Sequence, residues 1–146
     1  MKSKQSQPDV LTFGCRLNTF ESQIIKDNLS VSANENTVVF NTCAVTAEAE
    51  RQARQAIRKV RRERPDAHIV VTGCAAQIKP ERYASMDEVD LVLGNVEKLQ
   101  PGAFAIQQKE KARVNDIMSV TETASHLITG LENRARAFVQ IQNGCN

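Results

Sequence analysis

Short apolar runs alternate with longer amphipathic stretches over roughly the first hundred residues of the chain. The runs are rich in β-branched and other apolar side chains and are bounded by polar residues or glycine, a pattern typical of buried strands. Four such runs occur, at residues 10–13 (VLTF), 37–40 (TVVF), 68–72 (HIVVT) and 89–93 (VDLVL). The pattern therefore predicts four short strands separated by helices.

The stretches between the runs carry helix signals. Asn18 with Glu21 resembles a capping box ahead of an apolar stripe. Thr46 is a candidate N-cap for a long helix that Pro65 ends, because proline disfavours helical geometry at the preceding residue and lacks an N–H. Pro80 suits the first turn of a short helix. Strands that alternate with helices indicate an α/β fold with right-handed crossovers.

We therefore predict a doubly wound, mainly parallel sheet of about four to five strands with helices on both faces. This domain is expected to span residues 9–108, after a disordered tail at residues 1–8. Residues 109–135 are polar with scattered apolar positions and are interpreted as a linker. Residues 136–146 contain one more alternating, strand-like run that belongs to no element before it.

Composition and charge narrow the classes of function. The 19 Lys+Arg against 17 Asp+Glu give a net charge of +2, too small to imply nucleic-acid binding by itself, and the chain has no Trp and one Tyr for stacking bases. We see no signal peptide and no run near the ~18 apolar residues that span a bilayer. A cytoplasmic, reduced protein without membrane contact is expected, where four cysteines indicate metal binding or catalysis more than disulfides.

Three cysteines follow predicted strands closely: Cys15 in LTFGC, Cys43 in VVFNTC and Cys74 in VVTGC. The loops after parallel strands gather at one edge of the sheet, where open α/β sheets bind ligands. Three thiolates suit a metal centre with one open position, whereas a structural zinc site would need a fourth protein ligand. His68 and His126 are poorly placed to supply it. Alternatively, each cysteine is a small buried apolar residue, as lone cytosolic cysteines usually are.

A second pattern lies on the predicted long helix, where five arginines recur every three or four residues: Arg51, Arg54, Arg58, Arg61 and Arg62. They could contact phosphates. The alternative, which we favour, is a solvated outer face whose opposite, apolar side packs on the sheet.

The segments TFGCRLNTFES, FNTCAVTAEAERQARQAIRK and VVTGCAAQ resemble the N-terminal domain of the methylthiotransferases, radical S-adenosylmethionine enzymes with two [4Fe-4S] clusters. The resemblance implies that Cys15, Cys43 and Cys74 hold the auxiliary cluster. It also implies that sulfur is delivered from this cluster to a carbon from which a 5′-deoxyadenosyl radical has abstracted hydrogen. Asn18, Asn41 and Thr42 are candidates for hydrogen bonds to the cluster sulfurs.

The run RAFVQIQNGCN resembles the first strand of the family's radical domain, a partial TIM-like barrel. Cys145 then corresponds to the first ligand of the second cluster, in a C-x-x-x-C-x-x-C motif that would continue beyond residue 146. The resemblance thus implies a truncated chain, inactive alone, with the rest of the barrel and an RNA-binding domain missing.

Within the family, GCRLNTFES and NTCAVT are most similar to the branch that acts on N6-threonylcarbamoyladenosine in tRNA, since sister branches usually have Asp in place of Glu21. The implied partners are tRNA, bound mainly through other domains, and a reducing electron donor, and the implied state is a monomer. The alternatives are the branch acting on isopentenyl-adenosine in tRNA, a non-catalytic flavodoxin-like module that binds RNA or protein, and a zinc or redox protein that uses all four cysteines.

Overall fold

The computed structural model describes residues 8–14, 16–32, 36–94 and 111–114. Within these ranges the strands form one parallel sheet in the order β1-β2-β3-β4-β5. The strands are β1 (Asp9–Thr12), β2 (Thr37–Thr42), β3 (His68–Gly73), β4 (Leu91–Leu93) and β5 (Ala112–Arg113). The four predicted strands are therefore present, and β2 and β3 each extend to the residue before a cysteine.

The helices connect these strands: α1 (Arg16–Ser32), α2 (Ala47–Glu63), α3 (Cys74–Ile78) and α4 (Pro80–Ala84). Thr46 caps α2 as predicted, because its Oγ1 accepts the N–H of Ala49 at 3.1 Å. The helix ends before Pro65, and Pro80 begins α4, both as expected. The predicted N-cap at Asn18 is wrong, since α1 begins at Arg16. Helix α3 was not predicted.

Alternate residues of the strands face opposite sides of the sheet, and each side has its own apolar core. One core joins α1 to one face through Val10, Ile25, Leu29, Val39, Val70, Leu91 and Leu93. The other joins α2, α3 and α4 to the opposite face through residues that include Phe40, Ile57, Val71, Ala75, Tyr83 and Val92. The predicted α/β fold, a parallel sheet with helices on both faces, is confirmed.

The helices change faces between the first and the second crossover. Because β1, β2 and β3 lie in sequential order, two crossovers of the same hand would place α1 and α2 on one face. They lie on opposite faces, so these two crossovers have opposite hands. The expectation that all crossovers are right-handed is therefore wrong.

The sheet continues beyond β4. Ala112 and Arg113 pair with Val92 and Leu93, and Val114 packs against the core formed with α2. This fifth strand lies within the range interpreted as a linker from its sequence. No helix in the described ranges has the length and apolar character needed to cross a membrane.

Candidate functional site

The carboxyl ends of β1, β2 and β3 bring the predicted site residues together. Thr42, the last residue of β2, pairs with Gly73, the last residue of β3. Cys43 and Cys74 are the next residues along the two strands. Since neighbouring strands lie about 5 Å apart, the backbones that carry these two cysteines are neighbours at one edge of the sheet.

The loops at this edge diverge. The chain leaves β1 toward α1 on one face of the sheet and leaves β2 toward α2 on the other face. The carboxyl edge is also the position at which open α/β sheets bind ligands. Gly14 and Cys43 belong to the two diverging loops.

Cys43 is enclosed by its own loop and by the loop that follows β1. Its side chain is buried, at 3% exposure, and its Sγ accepts the N–H of Val45 at 3.4 Å. A β-carbon on Gly14 would overlap both Cβ and Sγ of Cys43. Gly14 also has a φ of 101°, which residues with a side chain rarely adopt. Glycine at this position therefore lets the first loop close directly against the thiol.

Cys74 is half-buried and opens α3. The glycine before it, Gly73, has a φ of 99°. A β-carbon there would overlap the carbonyl oxygen of Thr42 and lie 2.9 Å from Oδ1 of Asn41. The end of β3 thus packs against the backbone of β2 with no room for a side chain. Neither Cys43 nor Cys74 forms a disulfide.

Buried polar side chains connect the three loops. Asn18 donates through Nδ2 to the carbonyl oxygens of Phe13, at 2.9 Å, and of Thr42, at 2.8 Å. Thr42 donates through Oγ1 to the carbonyl oxygen of Thr72 at 2.6 Å. Asn18 and Thr42 are both 0% exposed. Because buried hydrogen bonds of this kind are costly to break, they tie the ends of β1, β2 and β3 to one another.

Asn41 extends this network toward α1. Its Nδ2 donates to the carbonyl oxygen of Asn18 and to Oγ of Ser22, each at 3.0 Å. The Ser22 hydroxyl also shares a hydrogen bond of 2.6 Å with Oγ1 of Thr12. The helix is therefore held to β1 and β2 by polar contacts just behind the site.

Asn18, Asn41 and Thr42, expected from the sequence to lie near the site, are all at this edge. Ser22, which belongs to the same network, was not expected there. A signal for it exists in the sequence, since Ser22 lies one helical turn after Asn18 on α1. Thr72 contributes through its backbone carbonyl, which side-chain chemistry does not predict.

Cys15, Cys145 and His126 lie outside the described residues. Within residues 8–14, 16–32, 36–94 and 111–114, no three His, Cys, Asp or Glu side chains gather in a group that could hold a metal ion. His68 begins β3, at the edge opposite Cys74, as the sequence predicted. Two thiols on neighbouring strand ends, with glycines where side chains would intrude, fit a thiolate-bound centre that needs a further ligand from outside the described residues.

The arginines of α2 make structural contacts. Arg61 donates to the carbonyl oxygens of Pro65, Ala67 and Glu88 and, at 2.6 Å, to Oδ2 of Asp90. It therefore joins the end of α2 to the turns that precede β3 and β4.

Three more arginines of α2 form ion pairs with nearby glutamates. Arg51 donates two hydrogen bonds to Glu48, which lower the pKa of that exposed carboxyl. Arg54 faces Glu50 at 3.7 Å, and Arg58 lies 4.0 Å from Glu88. Such ion pairs are typical of the outer face of a surface helix. They favour the interpretation that the arginines form this outer face while the apolar side of α2 packs on the sheet.

Known proteins are similar to this chain over most of its length. A relative in Rickettsia prowazekii (strain Madrid E), named threonylcarbamoyladenosine tRNA methylthiotransferase MtaB, is 54% identical over 94% of this chain and 32% of its own length. Relatives with the same name in Chlamydia pneumoniae and Aquifex aeolicus (strain VF5) are 34% and 33% identical, over 94% and 92% of this chain and 32% and 36% of their own lengths.

The chain thus spans about a third of the length of the curated relatives it matches. These matches confirm the resemblance to the N-terminal domain of the methylthiotransferases, and to the MtaB branch in particular. Residues 8–94, which contain Cys15, Cys43 and Cys74, also match the model of a family described as uncharacterized protein family UPF0004. Because that match covers more than half of the sequence, the chain belongs to the UPF0004 family.

Proposed function

We propose that this chain is the auxiliary-cluster part of a tRNA methylthiotransferase, with Cys15, Cys43 and Cys74 as the three protein ligands of a [4Fe-4S] cluster. One observation carries the proposal: Cys43 and Cys74 directly follow the paired residues Thr42 and Gly73 at one end of the sheet. Gly14 packs on Cys43, and Cys15 is the next residue after Gly14 in the sequence.

The chain's own residues fit this group in three ways. The thiols present soft sulfur ligands, which iron–sulfur clusters prefer. Gly14 and Gly73 let the strand ends pack directly against one another, which keeps the cysteine-bearing backbones close together. Burial of Cys43 keeps water from that ligand. A bound cluster held by three thiolates would supply an open iron position for the sulfur that is transferred.

The reaction itself is proposed from the relatives' names together with the resemblance. The complete enzyme would use S-adenosylmethionine and a second [4Fe-4S] cluster, with Cys145 as its first ligand, to place a methylthio group on C2 of N6-threonylcarbamoyladenosine in tRNA. A reducing electron donor and tRNA are the partners, and the cytoplasm is the compartment. The roles of the chain's described residues are to hold the cysteine loops and to limit access of water to them.

Reconstitution of the chain with iron and sulfide under nitrogen tests the cluster. We expect about four irons and four sulfides per chain. A Cys15→Ala/Cys43→Ala/Cys74→Ala variant should lose both, whereas Cys145→Ala, the matched single control, should retain them. Iron uptake that ignores the triple substitution would refute the proposal, and loss with Cys145→Ala would favour a site that uses all four cysteines.

The substrate branch needs a separate experiment with the complete protein. In cells that lack the gene, mass spectrometry of tRNA nucleosides should show unmodified N6-threonylcarbamoyladenosine, and the wild-type gene should restore its methylthio derivative. A Cys43→Ala/Cys74→Ala gene should fail to do so. Restoration of the methylthio group on isopentenyl-adenosine instead would assign the chain to the sister branch.

An RNA-binding or protein-binding module without a cluster is the competing function. It would require the arginine face of α2 to be free for phosphates. Arg61 donates to three carbonyl oxygens and Asp90, and Arg51 donates to Glu48. Because these guanidinium groups already have partners within the fold, the structure favours the cluster-binding function over this alternative.

A further inference from the structure

We propose that Asn18 and Thr42 are positioning residues that set the spacing of the three cysteine loops before any cluster binds. The inference rests on the proposed function for the identity of the bound group. The positioning itself concerns only hydrogen bonds within this chain and can be tested without iron.

Asn18 joins the first two loops. One of its amide hydrogens goes to the carbonyl oxygen of Phe13, two residues before Cys15, and the other goes to that of Thr42, directly before Cys43. A primary amide has two N–H donors on one planar nitrogen. The side chain therefore fixes the separation of two carbonyl groups on neighbouring strands, at the point where the ladder between β1 and β2 ends.

Thr42 joins the second loop to the third. Its hydroxyl donates to the carbonyl oxygen of Thr72 at 2.6 Å, two residues before Cys74. Thr42 also pairs with Gly73, the residue directly before Cys74. Two buried side chains therefore link all three strand ends that lead to a cysteine.

The donors of these side chains are already used. Both amide hydrogens of Asn18, both of Asn41 and the single hydroxyl hydrogen of Thr42 go to protein oxygens. Hydrogen bonds from these groups to cluster sulfurs, the role suggested by the resemblance, would require one of these bonds to break. Their place in the structure indicates that they act on the loops instead.

Two unsatisfied atoms support the same conclusion. Oδ1 of Asn18 and Oδ1 of Asn41 are buried without a hydrogen-bond partner. Such a buried group costs about 1–3 kcal/mol. Turning the Asn18 amide over would not relieve this cost, because its oxygen would then face the carbonyl oxygens of Phe13 and Thr42 that its nitrogen now contacts. The orientation of the Asn18 amide is therefore dictated by the backbone carbonyls at the two strand ends.

A thiol-bridging reagent tests the link made by Thr42. In a Cys15→Ala/Cys145→Ala background only Cys43 and Cys74 remain, and dibromobimane fluoresces strongly once it has alkylated two thiols. We expect Thr42→Val to lower the fraction of alkylated chains that carry the bridge about fivefold, the equivalent of one lost hydrogen bond. Thr42→Ser, which keeps the hydroxyl, should restore it.

Thr72→Val is the matched control. It removes a buried threonine hydroxyl of the same sheet, whose 3.4 Å hydrogen bond goes to Gly94 at the end of β4, where no cysteine follows. Bridging in this variant should stay within about twofold of the parent. Equal losses in Thr42→Val and Thr72→Val, or no loss in Thr42→Val, would overturn the proposal. Because no iron is present, these outcomes are independent of whether the chain binds a cluster.

The link made by Asn18 is tested in a Cys74→Ala/Cys145→Ala background, which leaves Cys15 and Cys43. Asn18→Leu should lower bridging, whereas Ser22→Ala, which removes a buried hydroxyl of the same network, should not. Unchanged bridging in a folded Asn18→Leu chain would remove Asn18 from the proposal. If circular dichroism shows that Asn18→Leu does not fold, the isosteric Thr42→Val comparison decides the proposal.

Discussion

Gly14 packs so closely on Cys43 that a β-carbon at position 14 would overlap the Cβ and Sγ atoms of that cysteine. The two residues lie in loops that leave neighbouring strands toward opposite faces of the sheet. The contact therefore joins the two loops at the point where they diverge. It also brings the backbone one residue before Cys15 against the thiol of the second proposed ligand.

Replacing Gly14 with alanine should lower both stability and iron binding. An alanine at a φ of 101° is strained, by about 1–3 kcal/mol, and its methyl group would displace Cys43. We expect the free energy of unfolding to fall by at least this amount in urea titrations. Iron content after reconstitution should fall as well.

The two causes can be separated with a double-mutant cycle. In a Cys43→Gly background the overlapping Cβ and Sγ atoms are gone, so only the backbone strain should remain when Gly14→Ala is added. A cost of Gly14→Ala that is the same in both backgrounds would show that the contact with Cys43 has no energetic effect.

Arg61 should stabilise the fold far more than its neighbour Arg62. Its side chain is 22% exposed and holds the end of α2 to the turns before β3 and β4. Arg61→Met should lower the free energy of unfolding by about 2 kcal/mol, since it removes charge-assisted hydrogen bonds to the part-buried carbonyl oxygens of Ala67 and Glu88. Arg62→Met, on the exposed side of the same turn, should change it by no more than about 0.5 kcal/mol. Equal effects in thermal or urea unfolding would contradict this assignment.

Much of the fold follows from local patterns in the sequence. Apolar runs such as 68–72 predict strands because a buried parallel strand needs apolar residues on both faces. Thr46 and Pro65 mark the ends of α2 through chemistry that acts within one turn. The change of faces between α1 and α2 has no such local signal. It depends on which side of the whole sheet each helix buries, and a general rule for crossovers failed there.

The site shows the same division. The position of Cys43 and Cys74 at one edge of the sheet could be predicted, because parallel strands share one carboxyl edge. The hydrogen bonds from Asn18 to two strand-end carbonyls could not be predicted, since an asparagine three residues before a glutamate has the pattern of an N-cap. Only the approach of β2, 24 residues away in the sequence, supplies the carbonyl of Thr42 as its second acceptor.

Loss of the cluster should destabilise the folded chain. A group that binds the native state but not the unfolded chain raises the free energy of unfolding. We therefore expect the reconstituted chain to melt at a higher temperature under nitrogen than after the cluster is removed by oxygen and a chelator. The Cys43→Ala/Cys74→Ala variant should melt at the same temperature before and after this treatment. A shift of equal size in both chains would mean that the treatment acts elsewhere.

The free energy of unfolding should also fall as the pH drops below 6.5, the ordinary pKa of histidine. Burial lowers the pKa of His68 below its ordinary value of 6.5, with attraction to Asp90 opposing this shift and repulsion from Arg61 adding to it. Well above pH 6.5, His68 is neutral in both the folded and the unfolded chain, so it does not lower the free energy of unfolding there. Below that pH the unfolded chain takes up the proton first, so the free energy of unfolding decreases until the pH passes the folded pKa. Urea titrations across this range should show that the free energy of unfolding depends less steeply on pH in His68→Gln than in the wild type. The same dependence in both chains would assign it to other groups.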